Sequence, residues 1–142
     1  MKDFLNLSRR ETIEEHRKMW NWIADNCSRE NGIGIEELKE EYCRRIGAYG
    51  LSNHCFCCQY AETLAKEKKV SNFCSLCPLK WGTEKQVKKY FCEKGTVGEP
   101  LPVEREIGTG LWYKAKIAID NYADYDLARK LAKQIAELPE RK

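Results

Sequence analysis

Two C-x-x-C pairs, Cys55-Phe56-Cys57-Cys58 and Cys74-Ser75-Leu76-Cys77, constrain this chain more than any other feature. Two residues between cysteines let the backbone turn tightly enough to aim both sulfurs at one point. Fifteen residues separate the pairs, within the gap of about 15 to 20 that lets two such turns share one ion. The spacing therefore predicts a four-thiolate site on Cys55, Cys58, Cys74 and Cys77, holding zinc at sulfur distances of about 2.3 Å. Zinc is preferred to an iron–sulfur cluster because two symmetric knuckles suit a single tetrahedral ion, although mononuclear iron fits the same sulfurs. Pro78 follows the second pair directly and stiffens its exit.

Three further residues compete for a place in the ligand set. Cys92 lies downstream of the second pair and His54 precedes the first; either is a substitute for one knuckle sulfur. Cys57 lies inside the first knuckle, where it is sterically awkward as a ligand beside Cys58, and is expected to be packed or exposed.

Four thiolates fill the coordination sphere and leave no position for water or substrate, so the metal is expected to be structural. The motifs of catalytic zinc are missing. The chain has no H-E-x-x-H and no H-x-E with P-C-x-x-C, and His16 and His54 are its only histidines. It has no triad-like motif, and Gly108-Thr109-Gly110 is followed by no Lys-Ser/Thr of a phosphate loop. The residues point to a protein that is not an enzyme.

With 142 residues, the chain is read as a single domain spanning 1–142. Its charged fraction of 33% exceeds the globular norm and fits helices with solvated outer faces, while four Trp and seven Tyr supply core anchors. The net charge of +3 gives no strong basic balance. The N-terminal residues lack the apolar core of a signal peptide, and no run approaches the roughly 18 apolar residues of a membrane span. The expected location is the cytoplasm, where eight cysteines call for metal before disulfides.

The fold class predicted is mainly α, a small helical domain organised around the four-cysteine zinc knuckle with little β. Residues 9–50 read as N-terminal helices. In the first, over 9–27, Ser8 with Glu11 or Thr12 with Glu15 offers a capping box. Ile13, His16, Trp20, Ile23 and Cys27 recur at helical steps, broadened by Met19 and Ala24. His16 is read as a core-edge histidine. A second helix is expected over 35–47, with Ile35, Leu38, Tyr42 and Ile46 on one face and Cys43 a small buried residue. The zinc-binding module covers 53–94, with short helices over 59–68 and 83–91. Residues 95–110 read as a loop or hairpin. The C-terminal helices cover 111–139, the last with Asp124 or Asp126 at its head, Leu127, Leu131, Ile135 and Leu138 on one face, and Pro139 at its end.

Four pieces of the chain resemble, in order, a family of small uncharacterised proteins common in bacteriophages and prophages of Gram-positive bacteria. They are Glu14 through Ala24; Cys55-Phe56-Cys57-Cys58-Gln59-Tyr60-Ala61; Cys74-Ser75-Leu76-Cys77-Pro78-Leu79 with Trp81; and Ala128 through Pro139. The extra Cys57 departs from the family pattern. The resemblance implies bound zinc and an accessory role in the host cytoplasm, such as binding and inhibiting a host or defence protein.

The leading functional expectation is a zinc-stabilised binding protein whose partner is a host or phage protein. Trp22 lies about 200° around the first helix from Trp20, outside the stripe, and Trp81 lies beside the second knuckle; these two are the candidate partner-binding residues. The alternative is a nucleic-acid binder. Lys66, Lys68, Lys69, Lys80, Lys85, Lys88, Lys89 and Lys94 make the cysteine module locally basic, with Phe73, Trp81, Tyr90 and Phe91 interleaved. An enzyme whose surface carries no recognisable motif is the third reading.

Overall fold

A reciprocal cap starts the first helix. In the computed structural model, which describes residues 3–70, 76–79 and 111–140 apart from the side chains at 111 and 113, the Ser8 hydroxyl accepts from the Glu11 N–H at 3.1 Å. The Glu11 carboxylate accepts from the Ser8 N–H at 3.1 Å in return. Two of the free donors at the helix start are thereby satisfied. Of the two capping boxes in the sequence, Ser8–Glu11 is the one formed. Thr12 instead turns inward, is buried, and donates its hydroxyl to the Ser8 carbonyl at 2.8 Å.

This helix, α1 (Arg9–Asn26), buries the whole predicted stripe: Ile13, His16, Met19, Trp20, Ile23 and Ala24, with Cys27 just past its end. Helix α2 (Ile35–Ile46) stops where Gly47 adopts a left-handed φ of 75°, a conformation that costs glycine nothing. Its carboxylates Glu36 and Glu37 sit in the first turn and Arg44 and Arg45 in the last, the order that the helix dipole favours.

Helix α3 (Phe56–Lys68) begins three residues earlier than the periodicity predicts. The reason is local. Cys55 is the N-cap, and its sulfur accepts from the Cys58 N–H at 3.3 Å. Cys57 and Cys58 therefore sit in the first helical turn and not in a separate loop. Helix α4 (Leu111–Asp120) presents Ala115, Ile117, Ala118 and Ile119 as buried residues. Helix α5 (Tyr125–Ala136) is capped by Asp124, whose carboxylate accepts from the Leu127 N–H at 3.0 Å. Its inner face carries Ala128, Leu131, Ala132, Ile135 and Ala136, and Leu138 is buried just beyond it.

The small alanine side chains of α5 let neighbouring backbones come close, and α5 packs extensively against both α1 and α4. Helices α2 and α3 also pack against α1, and α2 touches α4. One continuous cluster of buried residues runs from Ile13 to Leu138 through all these helices except α3's C-terminal half, with Trp20 the largest fully buried side chain among the described residues. The protein is mainly helical, with five α-helices and no β-strand among the described residues. An isolated antiparallel bridge joins Leu79 to Glu140. None of the helices in the described residues is long and apolar enough to cross a membrane.

Cys74, Cys92 and Trp81, the lysines from 80 to 94, the helix expected over 83–91 and the loop over 95–110 lie outside the described residues.

Candidate metal centre

The first knuckle is held by an unusual approach to α3. Leu51 is buried and anchors the chain, a short 3-10 turn covers Ser52–His54, and Asn53 and His54 both take left-handed φ values, 55° and 48°. Two such residues in a row reverse the chain sharply and deliver Cys55 to the N-cap. The Gln59 side chain closes the turn by accepting from the Ser52 N–H at 3.0 Å.

At this position the Cys55 thiol is held down at about 6. The largest cause is the hydrogen bond from the Cys58 side chain; burial opposes it, and the Lys39 ammonium and the backbone N–H groups of Cys58 and Cys57 add to the lowering. Helix starts favour thiolate for this reason. Cys55 and Cys58 are both half-buried.

Cys77, from the described segment 76–79, comes back to the same helix start. The Cys77 side chain is hydrogen-bonded to Cys57, and this contact, followed by burial and the charges of Cys77, Cys55 and Cys58, pushes the Cys57 thiol well up. The sulfurs of Cys55, Cys58 and Cys77 thus all lie within electrostatic reach of Cys57. Leu79, with no exposed surface, plugs the segment into the core. Arg9 fastens it from outside: its guanidinium donates to the Pro78 carbonyl at 3.4 Å and to Glu140 at 2.8 Å.

The donor chemistry of these sulfurs suits a soft tetrahedral ion. Among the described residues, however, no three His, Cys, Asp or Glu side chains converge into a set that could hold a metal. Of the four predicted ligands, Cys55, Cys58 and Cys77 are brought to one end of α3, and Cys74 is outside the described residues. His54 is exposed beside Cys55 and, with Cys55 and Cys58, lines a cavity of about 640 Å³. Cys57 is packed, being only 1% exposed. Cys43 is buried, which pushes its thiol up to about 11 and makes it a poor nucleophile, as expected of a small core residue.

Trp22 is half-buried. Its ring lies 5.5 Å from that of Tyr42, and the Arg45 guanidinium stands 5.3 Å from its centroid.

Two residues at this site escaped the sequence reading. Lys39 is buried beside the cysteines, and Trp112 of α4 lies under it, with the Lys39 Nζ 5.4 Å from the ring centroid. A signal for Lys39 was present. It falls four residues after Ile35 and three before Tyr42, on the apolar face of α2, where a lysine is out of pattern.

Compared with family models, curated proteins and solved structures, the chain matches none.

Proposed function

We propose that this protein is a zinc-stabilised binding protein that acts by occupancy and not by turnover. The observation that carries the reading is the return of Cys77 to the start of α3, where it meets Cys57 beside Cys55 and Cys58. A shared four-thiolate ion requires a second C-x-x-C to come back to the first; Cys77 does so, and Cys74 would complete the set. Such an ion is coordinatively saturated. It holds the segment around Leu79 onto the core and leaves recognition to the surface built on it.

The partner we propose is a protein of the host cell, which fits the resemblance of the cysteine and helical pieces to phage and prophage proteins. The cytoplasm is the compartment in which these thiols stay reduced and available to zinc. An inhibitor that blocks a host or defence protein works in this way, by remaining bound.

Metal analysis after gentle purification tests the first half; about one zinc per chain and little iron is the expected result. Substoichiometric zinc, with the knuckle thiols freely titratable in the native state, overturns it. Pull-down from the native host followed by titration tests the second half. The effect on the captured partner should saturate near equimolar protein and resist salt, whereas binding to nucleic acid falls steeply with salt. Complete modification of a large molar excess of that partner would make the protein an enzyme.

A further inference from the structure

The cavity of about 640 Å³ beside Cys55 falls within the range of about 300–1,000 Å³ typical of small-molecule sites. Its lining is drawn from several helices. Trp20 comes from α1, Trp112 from α4, and Glu36, Glu37, Lys39 and Glu40 from the N-terminal half of α2. The two aromatic rings offer apolar surface, and α2 supplies charge of both signs.

Lys39 is the buried member of that set. It is 5% exposed, and its ammonium makes no hydrogen bond or ion pair with any described residue. Its Nζ lies 5.4 Å from the Trp112 ring centroid, a contact that offsets only part of the cost of taking an ammonium out of water. Trp112 carries a second unmet donor, since its indole N–H is buried with no acceptor among the described residues. The three glutamates are different, for all are exposed. Glu40 is engaged by Arg44 at 3.4 Å, while Glu36 and Glu37 make no ion pair with any described residue.

These charges restrict what the cavity can take. A simple anion would answer Lys39 but be repelled by the carboxylates of the same lining. A simple cation would meet the carboxylates and be repelled by Lys39, leaving the buried ammonium unanswered. A molecule that carries both signs satisfies both. Because the carboxylates outnumber the ammonium, the fitting molecule has more cationic groups than anionic ones.

We propose that this cavity is a binding site for a small amphoteric ligand of the basic amino acid class, whose carboxylate pairs with Lys39 and whose cationic groups meet Glu36 and Glu37. The aliphatic stem between those groups would lie against Trp20 and Trp112. The site stands apart from the zinc reading, because it uses no cysteine and needs no metal.

Titration of the intact chain with L-arginine, followed by calorimetry and tryptophan fluorescence, tests the proposal. Saturable binding is expected in both signals. Agmatine, which is L-arginine without its carboxylate, should bind about 10- to 100-fold more weakly, the worth of one hydrogen bond between charged groups. Lys39→Met should weaken L-arginine by about that factor and leave agmatine unchanged or better bound. Lys39→Gln repeats the test should the methionine variant fold poorly. Glu36→Gln and Glu37→Gln, at exposed positions, should weaken both ligands. A Lys39 variant that loses L-arginine and agmatine equally marks a structural role and overturns the proposal. So does glutarate binding as tightly as L-arginine, or no saturable signal from L-arginine or L-lysine up to about 10 mM. A protein that carries no zinc yet tells L-arginine from agmatine through Lys39 overturns the metal reading and leaves this one standing.

Discussion

The His16 Nε2 lies 2.9 Å from the Ile135 carbonyl oxygen, so that an imidazole N–H donated from α1 satisfies a main-chain acceptor in the last turn of α5. This bond crosses one of the two most extensive helix pairings among the described residues, and it forms in a site where His16 is 1% exposed.

Acid sensitivity follows from that bond. Burial, aided by the charges of Arg17 and Lys39 and opposed by the Ile135 hydrogen bond, holds the His16 imidazole at about 4, below its ordinary 6.5. Above pH 6.5 the ring is neutral in folded and unfolded chains alike, and its contribution is intact. As pH falls from 6.5 towards 4, the unfolded chain takes up a proton that the folded one refuses. Stability of about 3 kcal/mol should be lost over that window and no more below it. Melts of the parent and of His16→Gln, compared at each pH, isolate this share from any acid release of metal. The difference between the two proteins should shrink as pH drops from 7 to 4; a constant difference would show that the ring titrates normally.

The cysteines of the first knuckle should separate by their response to chelation. Cys58→Ser should cost several kcal/mol when zinc is present, because binding energy at a structural site is folding energy. After exhaustive chelation most of that cost should vanish. Cys57 is packed against Cys77 in the core, and a buried serine hydroxyl there should cost about 1–3 kcal/mol. That cost should persist without metal. A Cys57→Ser penalty that disappears with zinc would make Cys57 a ligand in place of one of the predicted sulfurs.

The Trp22 ring is committed to its own fold before it meets any partner. Its tilted contact with Tyr42 should give a coupling energy of about 0.5–1.5 kcal/mol in a double-mutant cycle of thermal or urea unfolding. Trp22→Ala should therefore weaken partner binding and fold stability together, while Arg45→Ala, which uncovers the outer ring face, should disturb binding first. A coupling indistinguishable from zero would leave Trp22 as a surface residue available to a partner.

The helical parts of this architecture were readable because their periods are clean. Ile13, His16, Trp20, Ile23 and Cys27 all lie where the 3.6-residue repeat places them, and Gly47 and Asp124 end and begin helices as their backbone and side-chain chemistry dictates. The start of α3 was misplaced because a cysteine is not among the usual capping residues; Cys55 serves through its sulfur. The meeting of Cys57 with Cys77 is a long-range contact that no local pattern encodes. Lys39 was passed over because a lysine in an apolar stripe is ordinarily taken as one whose charge reaches solvent. Here α4 covers it with Trp112.

The pairing of α1 with α5, and the clasp in which Arg9 and Leu79 both engage Glu140, also bear on the chain as it leaves the ribosome. Synthesis is vectorial, and the surface that covers Ile13, Trp20 and Ile23 comes from a helix translated long after them. Until then the nascent chain carries an open apolar face, a target for holdase chaperones. Both knuckles emerge well before Glu140 can lock the segment around Leu79. On the proposed zinc reading, metal capture would precede completion of the core and give zinc supply a say in how much of the newly made chain escapes proteolysis.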